Sequence, residues 1–100
     1  MEVTLKEIQY TAEFEVWEDS LPADIRGLVR VRLARVAKGL FGNSHGVGEG
    51  VSELVIGEGP GFRVYFGRTG DRVILLTGGA KKTQRKDIRK AKILWGEINA

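Results

Sequence analysis

The clearest pattern along the chain is an alternation of apolar and polar side chains over residues 62–66. The alternating residues are Phe62, Arg63, Val64, Tyr65 and Phe66. A period of two is typical of a β-strand with one face in the core. Turn-forming clusters lie at 59–61 and 67–71, and the run 72–76 that follows is apolar from Val73 onward. The pattern predicts a β-hairpin in which Arg63 and Tyr65 point away from the main core.

An arginine beside a phenol on this strand has two interpretations. In the first, Arg63 lies on a solvated sheet face and pairs with a carboxylate, for which Glu53 on the preceding strand is the candidate. In the second, Arg63 lies on a concave face and holds a phosphate, because the guanidinium fork matches phosphate geometry.

Helical periodicity precedes the hairpin, after a short edge strand expected at 3–8. The first stripe is Tyr10, Phe14, Trp17 and Leu21, and Thr11 is a plausible N-cap, although the alternation over 13–16 also fits a strand. A second helix is predicted from Ala23 to Gly39, with Pro22 at its start. Its predicted buried stripe is Ile25, Leu28, Val29, Val36 and Leu40, with Arg32 at the edge. The two helices form a helical hairpin.

The glycine-rich segment 41–50 is predicted to be a loop. Its glycines at 46, 48 and 50 do not form a dinucleotide site, because that fingerprint follows a strand and opens a helix. His45, the single histidine of the chain, is expected to be solvated on this loop.

Strands are predicted at 51–56, 62–66 and 73–76, and 77–80 is expected to end the sheet. The 73–76 run suits a strand covered on both faces. A final helix is predicted over 83–99, with the buried stripe Ile88, Ala91, Trp95 and Ile98. The order β-αα-βββ-α predicts an α+β domain with a three- to four-stranded antiparallel sheet and its helices on one face. The other face is left for Arg63, Tyr65 and either Glu53 or Val55.

Composition narrows the possible functions. One hundred residues make one domain, 1–100, and the absence of cysteine excludes disulfides and Cys-ligated zinc. With one histidine and no carboxylate cluster of ligand spacing, neither a metal site nor a cofactor is expected. The chain has no apolar run of membrane-spanning length and no signal peptide, which suits the cytoplasm. Bases cluster in the second helix and after residue 80. On charge alone, this indicates either two solvated helix faces or a surface for a polyanion or an acidic protein partner.

Three segments carry a family resemblance. They are GEGVSEL at 48–54, GPGFRVYF at 59–66, and LLTGGAKKTQ at 75–84 with Asp87, Ile88 and Ala91 beyond. Together they resemble the HigB-like addiction-module killer proteins of the RelE/ParE toxin superfamily, over almost the whole chain.

The resemblance implies a fold, a function and a partner. The fold is an antiparallel sheet with an N-terminal helical hairpin and a C-terminal helix. The function is that of a type II toxin: a ribosome-dependent mRNA endonuclease without a metal. The partner is a cognate antitoxin, usually a helix-turn-helix protein.

Site residues follow from the same resemblance. Arg63 is the implied phosphate-stabilising residue, Lys81 and Lys82 add positive charge, and Tyr65 stacks on a base or joins proton transfer. The residues expected to contact ribosomal RNA are Arg30, Arg85, Lys86 and Arg89. Trp17 and Trp95 are expected to be core residues rather than stacking platforms.

The chain departs from the family pattern in two places. No lysine occurs between Lys38 and Lys81, and the C-terminal segment has no His or Tyr. The general base is therefore unassigned, with Glu53, Glu58 and Asp87 as candidates. Two alternatives remain open: a ParE-like poison that binds DNA gyrase without chemistry, and a phage-derived binding module that has lost catalysis.

Overall fold

The hairpin predicted from the alternation at 62–66 lies inside the sheet. The computed structural model describes residues 5–57 and 61–100. The strands are β1 (Glu7–Tyr10), β2 (Ser44–Gly48), β3 (Val51–Ile56), β4 (Phe62–Thr69) and β5 (Arg72–Ala80). The helices are α1 (Ala12–Asp19), α2 (Ala23–Ala37) and α3 (Gln84–Ile98), with a 3-10 turn at Lys81–Thr83 before α3. Val3, Thr4 and the turn residues Gly59 and Pro60 lie outside the described residues.

The described strands form one five-stranded sheet in the order β1-β5-β4-β3-β2. The pairs β2–β3, β3–β4 and β4–β5 are antiparallel, whereas β1 runs parallel to β5. The α+β class and the C-terminal helix are confirmed, while the sheet has more strands than predicted. Strand β5 also continues through 77–80, where the sheet was expected to end.

The additional strand is β2, which lies in the glycine-rich segment predicted to be a loop. Glu49 and Gly50 join β2 to β3, and both have positive φ, at 55° and 81°. Two-residue hairpin turns of type I′ require positive φ at both central positions. The glycines of this segment therefore build a tight hairpin.

The helices cover both faces of the sheet, so the prediction that they pack on one face is wrong. On the first face, Val64 and Leu75 pack with Phe14 of α1 and Val29 of α2. On the second face, Tyr65 and Leu76 pack with Ala91, Ile88 and Leu94 of α3. The 73–76 run is apolar on both faces, as predicted, and α3 covers the face expected to stay open.

The helical hairpin begins with the predicted cap. The Thr11 hydroxyl accepts from the Phe14 backbone N–H at 3.1 Å and donates to the Leu76 carbonyl at 2.6 Å. This bond fixes the start of α1 on β5 and resolves the helix-or-strand ambiguity of 13–16. In α2, Arg32 donates to the carbonyls of Val55 and Phe41 at 2.8 and 3.0 Å, which holds α2 against the sheet.

Some stripe positions were assigned wrongly. The side chains that the pattern placed in the core but the structure exposes are Tyr10, Leu28, Leu40 and Ile98. Leu33 and Leu94 pack against the two cores in addition to the predicted residues. Tyr10 is the last residue of β1 and Leu40 lies beyond the end of α2, so neither belongs to the helix that the pattern assigned it to, whereas Leu28 lies within α2 and Ile98 is the last residue of α3.

Each tryptophan lies over a glycine of the sheet. A Cβ on Gly78 would overlap the six-membered ring of Trp17, and a Cβ on Gly67 would lie 2.6 Å from Cη2 of Trp95. The glycines let the two indoles pack flat on opposite faces, where both tryptophans are half-buried and pack against the two cores, in line with the predicted packing role. Among the described residues, no helix has the length and apolar character needed to cross a bilayer.

Candidate functional site

A cluster of polar side chains lies on the second face of the sheet, beside the start of α3. Register brings its members together: Glu53 of β3 is opposite Tyr65 of β4, and Tyr65 is opposite Thr77 of β5. Arg63 lies two residues before Tyr65 on the same face and is opposite Gly79. The structure therefore confirms that Arg63 and Tyr65 lie on the same face of the sheet, and Glu53 lies on that face beside them.

Glu53 is the centre of this cluster. It is only 1% exposed, yet its carboxylate has three polar neighbours. Gln84 donates to Oε2 at 2.8 Å, Arg63 Nε lies 3.5 Å from Oε2, and His45 Nε2 lies 3.0 Å from Oε1. Burying a carboxylate is costly unless it is paired and hydrogen-bonded, and these neighbours meet that need.

Arg63 lies beside Glu53, as the first interpretation describes, but α3 covers this face of the sheet, so Arg63 is largely buried rather than solvated. Its side chain is 12% exposed and close to Glu53, and its NH1 donates to the Gly61 carbonyl at 2.8 Å. The Nε atom has no well-aligned hydrogen bond among the described residues, so the contact with Glu53 is mainly electrostatic. With 12% of its side chain exposed and Nε buried, Arg63 leaves only a small part of its surface accessible to a phosphate.

Tyr65 is fully buried, and its hydroxyl has no hydrogen-bond partner among the described residues. Burial raises the pKa of the Tyr65 phenol, and the carboxylates of Glu53 and Asp87 raise that pKa further, while Arg63 lowers it. The phenol is therefore neutral at physiological pH. Its ring has no exposed face for a base, so the stacking role has no support in the geometry, and its role in proton transfer stays a prediction.

Asp87 reaches the cluster from α3. The Thr83 hydroxyl donates to its Oδ2 at 2.5 Å, and the carboxyl lies directly against Gly79. Any larger residue at 79 would collide with this carboxylate. Glu53 and Asp87, two of the predicted general-base candidates, are both buried, and Glu58, the third, lies outside the described residues.

All of the predicted basic site residues except Arg30 and Arg63 lie together near the start of α3. Lys81 and Lys82 follow Ala80, which pairs with Phe62 at the start of β4, so they extend from the end of the sheet where Arg63 lies. Three further predicted residues, Arg85, Lys86 and Arg89, are exposed on the first turns of α3. We call these five the basic corner.

Arg30 is not part of the basic corner. It lies on α2, across the sheet from α3, and it pairs with Glu18 at 3.5 Å. The sheet therefore separates Arg30 from the other predicted RNA contacts. Its role in RNA binding stays a prediction, for a second surface.

His45 belongs to the cluster, although the sequence reasoning treated it as a solvated loop residue. The β2–β3 hairpin places His45 opposite Glu53, with 55% of the His45 side chain exposed. The available signal was the Glu49-Gly50 pair: a two-residue turn there brings the flanking segments into register as strands. Among the described residues, no group of three or more His, Asp or Glu side chains has the arrangement of a metal site.

The fold has a counterpart among solved structures. A chain of the RelB-RelE antitoxin-toxin complex from Methanococcus jannaschii superposes with a TM-score of 0.63, covering 78% of this chain and 95% of that one. At 13% identity, this likeness concerns the fold alone.

Sequence comparison gives a nearer relative. No family model matches the chain. An uncharacterised protein of Haemophilus influenzae is 40% identical over 94 residues, which cover 92% of this chain and 95% of that protein. The chain belongs to the same family as this Haemophilus influenzae protein, and its fold is the one seen in the RelB-RelE complex.

Proposed function

We propose that the protein is the toxin of a type II toxin–antitoxin pair and acts as a HigB-like, ribosome-dependent mRNA endonuclease. The observation that carries the proposal is the convergence of Arg63 with the basic corner at one end of the sheet. Arg63 pairs with Gly79, and Lys81 and Lys82 follow two and three residues later. The RelE-like fold supports the same class of protein.

Positive charge at this position suits metal-free RNA cleavage. The ribose 2′-OH attacks the adjacent phosphorus, and the reaction passes through a phosphorane that gains negative charge. In the proposed complex, the guanidinium group of Arg63 and the ammonium groups of Lys81 and Lys82 stabilise that charge. The remaining members of the basic corner bind ribosomal RNA phosphates, an interaction that weakens with salt.

The proposed partner is a helix-turn-helix antitoxin. The structural relative was crystallised as an antitoxin–toxin complex, and inhibition of this protein would follow if an antitoxin covered the basic corner. An acidic segment of the antitoxin would complement the charge of that surface. The proposed site of action is the cytoplasm, where ribosomes and mRNA meet.

The test is transcript 5′-end mapping in a bacterium after a brief pulse of the protein without antitoxin. Wild type is compared with Arg63→Ala and with Arg63→Lys, which leaves a positive charge beside Glu53 but removes the planar fork. Arg72→Ala is the matched control, because Arg72 is an exposed arginine at the other end of the same hairpin. We expect new ends inside translated codons with wild type and Arg72→Ala, and none with either Arg63 variant.

Other outcomes would favour a different function or a different phosphate-binding residue. Growth arrest with intact transcripts would refute the endonuclease and point to a ParE-like action on gyrase. Neither arrest nor cleavage would indicate a binding module without catalysis. Cleavage that persists in both Arg63 variants would show that Arg63 is not the phosphate-binding residue.

A further inference from the structure

We propose that His45 is the general base of this RNA cleavage and that Glu53 positions it, an inference that rests on the endonuclease function proposed above. A general base must contact the 2′-OH whose proton it removes. His45 belongs to the polar cluster and also reaches solvent, as 55% of its side chain is exposed. The carboxylates of Glu53 and Asp87 belong to the same cluster but do not reach solvent in this way.

Burial argues against the carboxylates as bases. Glu53 is 1% exposed and Asp87 is 8% exposed, so neither presents an oxygen to a ribose outside the protein. Asp87 also receives the Thr83 hydroxyl. Glu53 can act only through the groups it touches, which makes it a positioning residue.

The contact between Glu53 and His45 sets the tautomer of the imidazole. Nε2 lies 3.0 Å from Oε1 of Glu53, and at this distance the carboxylate attracts an N–H on Nε2 and repels a lone pair there. The proton of neutral His45 is therefore favoured on Nε2, which leaves the lone pair on Nδ1. A carboxylate that holds one imidazole nitrogen so that the other accepts a proton is the arrangement of catalytic triads.

The same carboxylate also holds Arg63, with Nε 3.5 Å from Oε2, and Gln84 fixes that oxygen at 2.8 Å. The base and the phosphate-binding arginine thus share one buried anchor. Contact with one carboxylate limits how far apart the two groups can lie, which reduces the cost of aligning the 2′-OH with the phosphorus.

In the proposed step, Nδ1 of His45 takes the proton of the 2′-OH while the 2′-oxygen forms a bond to phosphorus. The bond from phosphorus to the 5′-oxygen breaks, and the leaving oxygen takes a proton from solvent water. The products are a 2′,3′-cyclic phosphate and a 5′-hydroxyl end. His45 returns its proton to the solvent, so the enzyme is unchanged.

The test is cleavage of a defined mRNA on purified programmed ribosomes, with and without added imidazole. His45→Ala removes the base and leaves space on an exposed edge strand that imidazole can enter. His45→Gln keeps an N–H for Glu53 but has no basic nitrogen and fills the space. Asn43→Ala is the matched control, because Asn43 is an exposed residue two positions before His45. Thermal unfolding of each protein checks its fold.

We expect cleavage to fall by about 100-fold or more in both His45 variants, as is usual for loss of a general base. Imidazole should raise the rate of His45→Ala in proportion to its concentration and leave His45→Gln and Asn43→Ala unchanged. Cleavage by His45→Gln at the rate of Asn43→Ala would overturn the inference, and so would a loss in His45→Ala that imidazole does not reverse. Both results leave the endonuclease itself standing, whereas absence of cleavage by wild type would refute the endonuclease and this role together.

Discussion

The substitution Gly78→Ala should destabilise the fold strongly, although it adds only one methyl group. The new Cβ would overlap the six-membered ring of Trp17. Trp17 packs beside Phe14, with their ring centroids 5.7 Å apart, so the indole can relieve the overlap only by lifting away from the sheet. The backbone of β5 cannot move instead, because β1 and β4 are hydrogen-bonded to it on both sides.

The expected magnitude follows from the contact that the indole loses. A packed tryptophan buries roughly 150–250 Å², and losing about 100 Å² at about 25 cal/mol per Å² costs about 2.5 kcal/mol. For a domain of this size, that lowers the melting temperature by about 10–20 °C. Overpacked cores in general lose about 1–3 kcal/mol, which agrees with this value.

The assay is thermal and urea unfolding of wild type, Gly78→Ala and a matched control, Gly27→Ala. Gly27 lies within α2 with nothing within 4 Å of an added Cβ, so the same change should stabilise by about 0.5–1 kcal/mol. In a protein that already carries Trp17→Ala, Gly78→Ala should lower the free energy of unfolding only slightly, because the indole ring is absent. Equal melting temperatures for wild type and Gly78→Ala, or an undiminished cost without Trp17, would refute the reasoning.

Three further predictions concern the polar cluster and the basic corner. Glu53→Gln should lower the free energy of unfolding by about 3 kcal/mol, because Arg63 stays buried without its carboxylate partner. Adding Arg63→Met should restore most of the lost stability in urea titrations, and an unchanged urea midpoint for Glu53→Gln would contradict this. The raised pKa of Tyr65 keeps its phenol neutral in the folded protein, whereas the same phenol ionises in the unfolded chain above about pH 10. The free energy of unfolding of the wild type should therefore fall above about pH 10, and Tyr65→Phe should lessen the fall. Parallel stability curves for the two proteins at alkaline pH would argue against this. Lys82→Glu and Arg85→Glu should weaken ribosome binding and flatten its salt dependence, and salt titrations with unchanged slope would remove both residues from the RNA surface.

Much of the fold could be predicted because periodicity and capping are local. The alternation at 62–66 identified β4 and the shared face of Arg63 and Tyr65, and Thr11 marked the start of α1. The position of α3 could not be read in the same way. Its stripe shows which residues are buried but not which sheet face receives them, and that choice depends on an apolar surface assembled from β3, β4 and β5.

The site was harder to predict because it depends on strand pairing. Arg63 and Glu53 were correctly considered as partners, since a hairpin relates adjacent strands. His45 was missed because Gly46 and Gly48 weaken strand propensity. Strand β2 forms only through its pairing with β3 and the turn at Glu49-Gly50. The burial of Glu53 and Tyr65 depends on α3, whose position over them no local pattern reports.

The parallel pairing of β1 with β5 has a consequence for the order of folding. Ile8 pairs with Val73, so this contact closes a loop of more than sixty residues, whereas the hairpins from β2 to β5 close through short turns. Loop-closure entropy delays such distant pairing until the hairpins have formed the surface that β1 joins. Glu53 and Arg63 lie on the β3–β4 hairpin, so we expect their contact to form before the N-terminal strand docks. Substitutions at Ile8 should then speed unfolding without slowing folding, giving φ-values near zero, and a φ-value near one would reverse this order.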